Sequence, residues 1–275
     1  MASNYFISFE EDADTDAIVI DTKEKSKYKD KYEEELYTRE NPDDDYKVID
    51  LKVGNSNGYL VAIYKPEKVR LISTKEFNVG GKGERITTMC ERYGGSVCIN
   101  GGGFQDSGYG SDIPTGVVIQ DGEITWGADT VDTARDNIIG LTKDWKLKLM
   151  TNATANEALK ANINDAMVFG PFLIVNGKPL EIVGDPWGYA PRVAIGQTKS
   201  GIILFLVVDG ENYINGASLQ DMVDILTRYG AYNAANLDGG QSSSLSINGK
   251  LYNNPPAAAK RQGGRYVVTG WGLIK

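Results

Sequence analysis

The sequence predicts a mixed α/β fold of the α+β type, in which a strand-rich sheet core carries a few packed helices. Short alternating or continuously apolar runs recur along the chain, and tight-turn dipeptides separate several pairs of them. Helical spacing is confined to a few stretches, and strands and helices do not alternate regularly, which argues against a βαβ array. With 275 residues and 41% apolar content, the chain can bury a sizeable core.

The N-terminal segment differs in composition from the rest of the chain. The first 50 residues hold 16 acidic and 7 basic side chains, which leaves 21 acidic and 22 basic side chains for the remainder. Residues 22–45 are dense in charge, poor in apolar side chains and end in an Asp triplet, a pattern typical of a solvated helix or linker. We therefore expect an acidic segment or linker over residues 1–45 and a folded domain over residues 46–275.

Charge and hydropathy argue against two classes of partner. The near-neutral main body has no basic face for the phosphates of nucleic acid. The longest apolar run, residues 202–208, is far too short to cross a bilayer, and the N-terminus lacks the basic start and apolar stretch of a secretory leader. We expect no nucleic-acid or membrane partner, cytoplasmic synthesis, and virion association or release by lysis.

The elements of the domain follow from periodicity and turn residues. Strand patterns over residues 46–53, 58–66 and 68–74 open it, and a helix over residues 84–93 leads into a short buried strand, "SVCIN". A second helix begins after Ser218, a suitable N-cap, and leads through Gly230 into "AYNAAN". Four turns predict hairpins or strand pairs: Asp121-Gly122, Asn176-Gly177, Lys199-Ser200-Gly201 and Asn248-Gly249.

The two helix–strand segments resemble each other. Each has the order helix, Arg-Tyr-Gly, strand, Asn and glycine-rich turn, and Asn100 and Asn236 take equivalent places. This repetition indicates a pseudo-duplicated scaffold whose two turns lie at one sheet edge, where α/β folds tend to bind ligands.

Cysteine and histidine content restrict the chemistry. Cys90 and Cys98 are the only cysteines, and without a metal-binding spacing we expect two small buried apolar residues, in preference to a disulfide or a site. The chain has no histidine. Catalysis by Ser-His-Asp or Cys-His arrangements, and an HExxH zinc site, are therefore excluded.

The stretch "NLDGGQSSSL", residues 236–245, has three interpretations from its residues alone. It is a hairpin turn, a metal loop, or a cradle in which backbone amides and the hydroxyls of Ser242, Ser243 and Ser244 bind ligand oxygens. It lacks the alternating ligands of an EF-hand loop. Two other residues stand at strand ends: Asp209 is a turn residue or a site residue, and Arg192 is a surface cation or an anion-binding fork.

A series of motifs resembles the phosphodiester glycosidase family. They occur in the family's order: "INGGGF", "PTGVVIQDGE", "PRVAIG", "FLVVDG", "GASLQDMVDILTRYGAYNAANLDGGQSS" and "GGRYVVTGWGLI". The resemblance covers residues 46–275, and the helix with "NLDGG" is its most specific part. The chain departs from the family where Gln241 replaces a third glycine and "GGGF" replaces "GGFF", and Gln241 puts the substrate in doubt more than the reaction.

The resemblance implies hydrolysis of a sugar-1-phosphodiester, with teichoic acid, capsular glycans and glycoconjugates as substrates that contain the linkage. Its motifs place the site at residues that we divide into two sets. The catalytic set is Asp209, Asp238, Arg192 and Asn100, and the substrate-binding set is Asn236, Gly239, Gly240, Ser242 and Arg265.

The chemistry is compatible with these residue types. Phosphate is a good leaving group, so stabilisation of its charge is the main task, and Arg192, Arg265 and the amides of Gly239 and Gly240 are suitable for it. Asp209 and Asp238 would act as nucleophile or base, in roles that sequence does not assign. No spacing demands a metal, although carboxylate and amide oxygens are ligands that calcium accepts.

Two other functions remain open at this point. A non-catalytic glycan-binding module attached to a phage particle would use the same pocket, and the acidic N-terminal segment fits such an assembly. A phosphodiesterase that cleaves the P–O bond is the enzymatic alternative, and the lack of histidine counts against its usual forms.

Overall fold

The computed structural model describes residues 6–7, 9–106, 111–185, 188–211 and 214–275. Its α-helices are α1 Lys31–Tyr37, α2 Ile86–Arg92, α3 Ala155–Lys160, α4 Leu219–Arg228 and α5 Ala257–Lys260. Short 3₁₀ turns occupy Pro66–Lys68, Ala128–Thr130 and Gly240–Ser242. None of the helices in the described ranges is long and apolar enough to span a bilayer.

The strands outnumber the helices, as the fold class requires. In chain order they are β1 Phe6–Ile7, β2 Tyr46–Val53, β3 Ser56–Ile63, β4 Val69–Ser73, β5 Glu84–Arg85, β6 Gly95–Asn100, β7 Phe104–Asp106, β8 Ser111–Pro114, β9 Val118–Gln120, β10 Glu123–Trp126, β11 Asp136–Thr142, β12 Leu147–Ala153, β13 Ile163–Val168, β14 Phe172–Val175, β15 Lys178–Pro179, β16 Glu181–Ile182, β17 Arg192–Thr198, β18 Ile203–Val208, β19 Ala231–Leu237, β20 Leu245–Ile247, β21 Lys250–Leu251, β22 Tyr266–Val267 and β23 Thr269–Ile274. This strand-rich arrangement confirms the predicted α+β class.

Three antiparallel sheets enclose the main core. The largest has the order β15-β14-β19-β17-β18-β3-β2, the second β21-β20-β6-β23-β4, and the third β10-β9-β13-β11-β12. Their inner faces meet in one apolar cluster, to which the three sheets contribute Val193, Trp271 and Leu149 among others. Burial of this shared cluster removes large apolar surfaces from water and fixes the sheets relative to one another.

Helices α1 to α4 cover the outer faces of the sheets. Helix α4 packs on the seven-stranded sheet through Leu219, Met222 and Leu226, the positions that its 3/4 spacing predicts. Ser218 caps this helix in a reciprocal capping box with Asp221, which satisfies backbone amides at its first turn. Helix α2 packs in the same way on the second sheet, and α3 on the third.

The two helix–strand units have the same local geometry. Tyr93 and Tyr229, the C-caps of α2 and α4, have φ/ψ of −85°/1° and −86°/11°. The next residues, Gly94 and Gly230, have φ of 68° and 77°, a left-handed conformation that glycine adopts without steric cost. Strands β6 and β19 then run into the facing inner layers of two different sheets, so the units share a core rather than one sheet edge.

Turn chemistry accounts for the hairpins. Asp121-Gly122 joins β9 to β10, Asn176-Gly177 joins β14 to β15, and Asn248-Gly249 joins β20 to β21, with positive φ at both turn residues in each case. Helix α2 begins two residues later than the sequence indicates because Glu84–Arg85 pairs with Tyr266–Val267 as a strand.

The N-terminal segment packs against the domain. Ala13 and Ile18 are buried, and α1 buries Leu36 and Tyr37 on the outer face of the seven-stranded sheet. The main chain of Ala13 donates to Leu149 O over 2.9 Å, and that of Val19 donates to Lys199 O over 2.9 Å. The boundary near residue 45 stays a prediction, but the described part of this segment is packed rather than a free linker.

The two cysteines form a disulfide, where the sequence favoured two unpaired buried residues. Cys90 of α2 and Cys98 of β6 are bonded, and both are fully buried. The preference for unpaired cysteines was wrong because a helix followed by a strand on its own sheet brings positions eight residues apart face to face, a proximity that spacing alone does not reveal.

Removal of the disulfide will destabilise the fold. The bond closes a short loop. Without it the unfolded chain has more conformational entropy, which stabilises the unfolded state by about 2–3 kcal/mol. We expect Cys90→Ala/Cys98→Ala to lower the free energy of unfolding by about this amount in urea titrations. Reductant should destabilise the wild type to the same level and leave the variant unchanged; a variant as stable as the oxidised wild type would contradict the structure.

Candidate active site

The loop between β19 and β20 lies where the ends of two sheets approach each other. It begins at Asp238, whose amide donates to Gly101 O, just beyond β6, over 2.9 Å. The glycines after β6 allow the chain to pack closely on β13, because a Cβ at Gly101 would lie 2.5 Å from Met167 Cε and one at Gly102 would lie 2.8 Å from Val168 O. The "GGGF" and "NLDGG" motifs therefore meet in space.

Gly239 and Gly240 are required by the chain that crosses beside them. A Cβ on Gly239 would lie 2.7 Å from Pro191 O, which belongs to backbone and cannot move aside cheaply. Gly240 has a φ of 58° and donates its amide to the same Pro191 O over 2.9 Å. The pair of glycines thus fixes the loop against the start of β17.

Two cavities open on either side of this loop and share Asp238, Gly239, Gly240 and Phe169 as lining. The smaller, of about 260 Å³, is also lined by Arg192 and Asn236. The larger, of about 520 Å³, is also lined by Asp106, Thr115, Gln241, Ser242 and Arg265. One carboxylate, Asp238, thus stands at the junction of a smaller and a larger space.

The Asp238 carboxyl group holds its proton more tightly than an ordinary aspartate. Desolvation by the surrounding protein raises the pKa of Asp238 to about 6. The Ser242 hydroxyl, the positive charge of Arg265 and the Gly239 amide act in the opposite direction and favour the ionised form. A carboxylate with these partners is basic enough to accept a proton near neutral pH.

Arg192 and Asn236 form the polar part of the smaller cavity. Arg192 is 6% exposed, donates from Nε to Ala217 O over 3.0 Å and pairs through Nη2 with Asp185 at 3.2 Å. Burial lowers the pKa of Arg192, and the Asp185 charge counteracts this effect. Asn236 donates from Nδ2 to Gly170 O over 3.1 Å, and its buried Oδ1 has no hydrogen-bond partner among the described residues.

Ser242 and Arg265 lie on the side of the larger cavity. Ser242 is buried and is close enough to the Asp238 carboxyl group to hydrogen-bond with it. Arg265 pairs with Asp106 and lies over the ring of Phe104, with 5.1 Å from the guanidinium carbon to the ring centre. This partly exposed cation and its partner Asp106 form an ion pair in the wall of the larger cavity.

Two buried asparagines hold the loop from opposite sides. Asn100 donates from Nδ2 to Asp238 O over 2.7 Å and accepts at Oδ1 from the Ser244 amide over 3.0 Å. Asn253 donates from Nδ2 to Ser243 O over 3.1 Å and accepts at Oδ1 from the Leu245 amide over 2.8 Å. Asn100 is thus a positioning residue in this structure. Sequence reasoning missed Asn253, because "LYNNPP" carries no catalytic motif and no periodic signal.

Asp209 has a different place from the one expected. Its Oδ1 accepts from Asn253 Nδ2 over 3.1 Å and from the Asn254 amide over 2.9 Å, and its Oδ2 accepts from the Tyr59 hydroxyl over 3.2 Å. Among the described residues, the walls of the two cavities do not include it. The structure does not bring the predicted Asp209–Asp238 pair together at one cavity, and Asp209 acts on the loop through Asn253.

The backbone amides expected to bind phosphate are engaged elsewhere. The Gly240 amide donates to Pro191 O, and the Gly239 amide is directed at the Asp238 carboxyl group. Gln241 lines the larger cavity, but its Oε1 accepts from the Ala259 amide over 3.2 Å and so ties the loop to α5. Side chains rather than glycine amides must therefore supply the polar contacts here.

The side-chain oxygen atoms of Asp238 and Asn236, where the two cavities meet, are of the type that binds a hard cation such as calcium. Across residues 9–106, 111–185, 188–211 and 214–275, no three carboxylate or thiol side chains gather in the manner of a metal site.

The sequence profile described as phosphodiester glycosidase matches residues 93–274, which is more than half of the chain. The chain belongs to the phosphodiester glycosidase family. The match includes every site residue named above except Tyr59, which precedes it.

Relatives of this phosphodiester glycosidase domain differ in length and similarity. The chain is 28% identical over 178 residues to YomE, an uncharacterised SPbeta prophage-derived protein of Bacillus subtilis. This alignment covers 62% of this chain and 27% of YomE. It is 38% identical over 64 residues to the bovine N-acetylglucosamine-1-phosphodiester alpha-N-acetylglucosaminidase, covering 23% of this chain and 12% of the enzyme. The match thus spans less than a third of the length of each of these relatives.

Solved structures share the fold. The catalytic domain of the zebrafish N-acetylglucosamine-1-phosphodiester alpha-N-acetylglucosaminidase, auto-inhibited by its pro-peptide, aligns with a TM-score of 0.67 at 20% identity, covering 84% of this chain and 82% of that domain. A hypothetical protein from Synechocystis aligns with a TM-score of 0.56 at 18% identity, covering 82% of this chain and 61% of that one. The shared fold extends over more than four fifths of this chain in both cases.

The raised pKa of Asp238 predicts a pH-dependent stability difference. Because the folded pKa of about 6 exceeds the unfolded value, ionisation of Asp238 costs stability above pH 6, and the cost vanishes well below the unfolded value of 3.8. We expect Asp238→Asn to exceed the wild type in unfolding free energy by about 1–3 kcal/mol at pH 8 and by little at pH 3.5.

Urea titrations at several pH values will measure this difference. Asp129→Asn, at an exposed aspartate, is the matched control and should show no such trend. A difference between Asp238→Asn and wild type that is constant with pH would refute the desolvated environment of Asp238.

Proposed function

We propose that the protein is a hydrolase that cleaves a sugar-1-phosphodiester linkage in a cell-wall or surface glycopolymer such as teichoic acid. The observation that carries this proposal is the position of Asp238, a basic carboxylate at the junction of two cavities that have one arginine each. A sugar-1-phosphodiester has the matching shape, with a sugar on one side of the scissile bond and a phosphate with its second substituent on the other. Family membership supports the same reaction class.

The substrate fits the two cavities in one direction best. The sugar would occupy the smaller cavity, whose polar lining includes Arg192 and Asn236. The phosphate and its second substituent would occupy the larger cavity, where Arg265 and Ser242 stabilise the charge of the departing phosphate. Gln241 and Thr115 would contact the second substituent.

The reaction breaks the bond between the anomeric carbon and the bridging oxygen. Ionised Asp238 supports this step as nucleophile or as base for water, and the phosphomonoester leaves with the bonding electron pair. Water supplies the hydroxyl group of the released sugar. Because a phosphomonoester is a stable anion, the leaving group needs charge stabilisation more than a proton, so one basic carboxylate and the Arg265 guanidinium suffice.

The cellular setting is also part of the proposal. The similarity to a prophage-derived protein supports a role on a phage particle, or release by lysis, with action on the bacterial surface. The Cys90–Cys98 disulfide is consistent with service outside the reducing cytosol.

Hydrolysis in ¹⁸O-labelled water will test the reaction class. Incubation with the methyl phosphodiester of N-acetylglucosamine-1-phosphate, and with a wall polymer whose repeat contains a sugar-1-phosphate, should place the label in the sugar. Label in the phosphate would identify P–O cleavage and refute the proposal. A lack of product with bound substrate would favour a glycan-binding module.

Variants of the two aspartates should separate a catalytic role from a positioning role. We expect Asp238→Asn to lower kcat/KM by about a thousandfold, because the amide is not basic. Asp209→Asn should retain most of the activity, because its amide oxygen can accept from Asn253 and Asn254 while its NH₂ donates to the Tyr59 hydroxyl. Asp209→Ala should lose about 1–3 kcal/mol of stability.

The pH profile completes this test. Since ionised Asp238 is the active form, kcat/KM should rise through pH of about 6 and then level off. Inactivity of folded Asp209→Asn would restore Asp209 to the chemical step, and a rate that falls above pH 6 would make Asp238 an acid.

A further inference from the structure

A cleft lies at the open end of the seven-stranded sheet, on the face that elsewhere forms the core. Side chains alternate along β3, so Tyr59 and Asn57 share a face with Val61, which is buried between the sheets. Asp50 and Lys52 of β2 stand directly across from Tyr59 and Asn57 on this face. The inner face therefore changes from apolar to polar where the hairpin extends beyond the opposing sheet.

Tyr252 closes this space from the other side. Its ring packs edge-on against Tyr59, with ring centres 5.3 Å apart and planes at 78°, and 45% of Tyr252 stays exposed. Together these residues line a cleft of about 410 Å³. We name it the Tyr252 cleft, and its volume is in the range of small-ligand sites.

The chemistry of the Tyr252 cleft selects its ligand class. Asp50 and Lys52 carry opposite charges, so the cleft has no net charge that would favour an anion or a cation. It offers a carboxylate, an amide and an ammonium group for hydrogen bonds beside an aromatic ring. Polar edges and an apolar face of this kind complement a pyranose ring, whose hydroxyls lie around a flat hydrocarbon face.

The cleft is bonded to the loop of the candidate active site. Tyr59 donates to Asp209, and Asp209 accepts from Asn253, the residue after Tyr252. Asn253 in turn holds Ser243 and Leu245, beside Ser242 in the larger cavity. The cleft wall and the loop are thus one hydrogen-bonded unit, which holds the cleft in a fixed position relative to the larger cavity.

We propose that the Tyr252 cleft binds a neutral sugar unit of a glycan chain, at a distance from the bond that is cleaved. This inference rests on the proposed function for its link to catalysis, and it makes a chain of several units, rather than a small diester, the preferred substrate. Tyr252 supplies the stacking surface, and Asp50, Lys52 and Asn57 supply hydrogen bonds to hydroxyl groups.

Kinetics on a long and a short substrate will test the cleft. The probes are a purified wall polymer with a sugar-1-phosphate in its repeat and the methyl diester of N-acetylglucosamine-1-phosphate. We expect Tyr252→Ala to raise KM for the polymer about tenfold, the loss of roughly one stacking contact, without a change in kcat. Hydrolysis of the methyl diester should stay as in wild type, because that substrate does not reach the cleft.

Two variants serve as controls. Tyr252→Phe keeps the ring and should keep polymer affinity. Trp145→Ala removes another exposed aromatic side chain, 40% exposed, in the turn between β11 and β12, and should change neither substrate. An equal effect of Tyr252→Ala on both substrates, or no effect on the polymer, would overturn the cleft as a glycan site.

A binding measurement distinguishes failure of this inference from failure of the proposed function. If wild type hydrolyses neither probe, the proposed function fails, and equilibrium binding of the fluorescently labelled polymer then decides the cleft. A tenfold weaker affinity of Tyr252→Ala supports the cleft, and equal affinities overturn it.

Discussion

The position of Asp238 depends on two buried asparagines. The side-chain amides of Asn100 and Asn253 hydrogen-bond to the main chain of the loop that begins at Asp238. Both residues are almost fully inaccessible to water. A buried amide that satisfies both its donor and its acceptor stabilises one geometry, since any shift leaves polar groups without partners. The loop has little helix or strand structure of its own, so these side chains replace the hydrogen bonds that a regular element would provide.

The same loop buries Asp238, and this desolvation of a carboxylate lowers the stability of the fold. Asp238 is desolvated, and its partners Ser242, Gly239 and Arg265 only partly compensate. Burial also raises the pKa of Asp209, but its carboxylate receives three hydrogen bonds from well-placed donors. The two aspartates show how environment separates a reactive carboxylate from one that organises its surroundings.

Prediction from sequence was strongest where one local pattern decides the outcome. The turn dipeptides gave the hairpins, and the capped, amphipathic α4 was correct to within a residue. The disulfide, the role of Asn253 and the position of Asp209 depend on which distant strands become neighbours, and a single sequence does not state this. Motif order identified the family and the loop, but it could not show that Arg192 and Arg265 line different cavities.

The packed N-terminal segment determines how the protein can be attached to something larger. It contacts the turn after β17 at Lys199, whereas Arg192 at the start of this strand lines the smaller cavity, so the two lie roughly 20 Å apart along the strand. The segment then reaches the opposite end of that strand, because β1 pairs with β16, three residues before Asp185, the ion-pair partner of Arg192. A tether joined ahead of β1 would therefore hold the molecule beside the smaller cavity, and its bulk would limit which polymers can enter there.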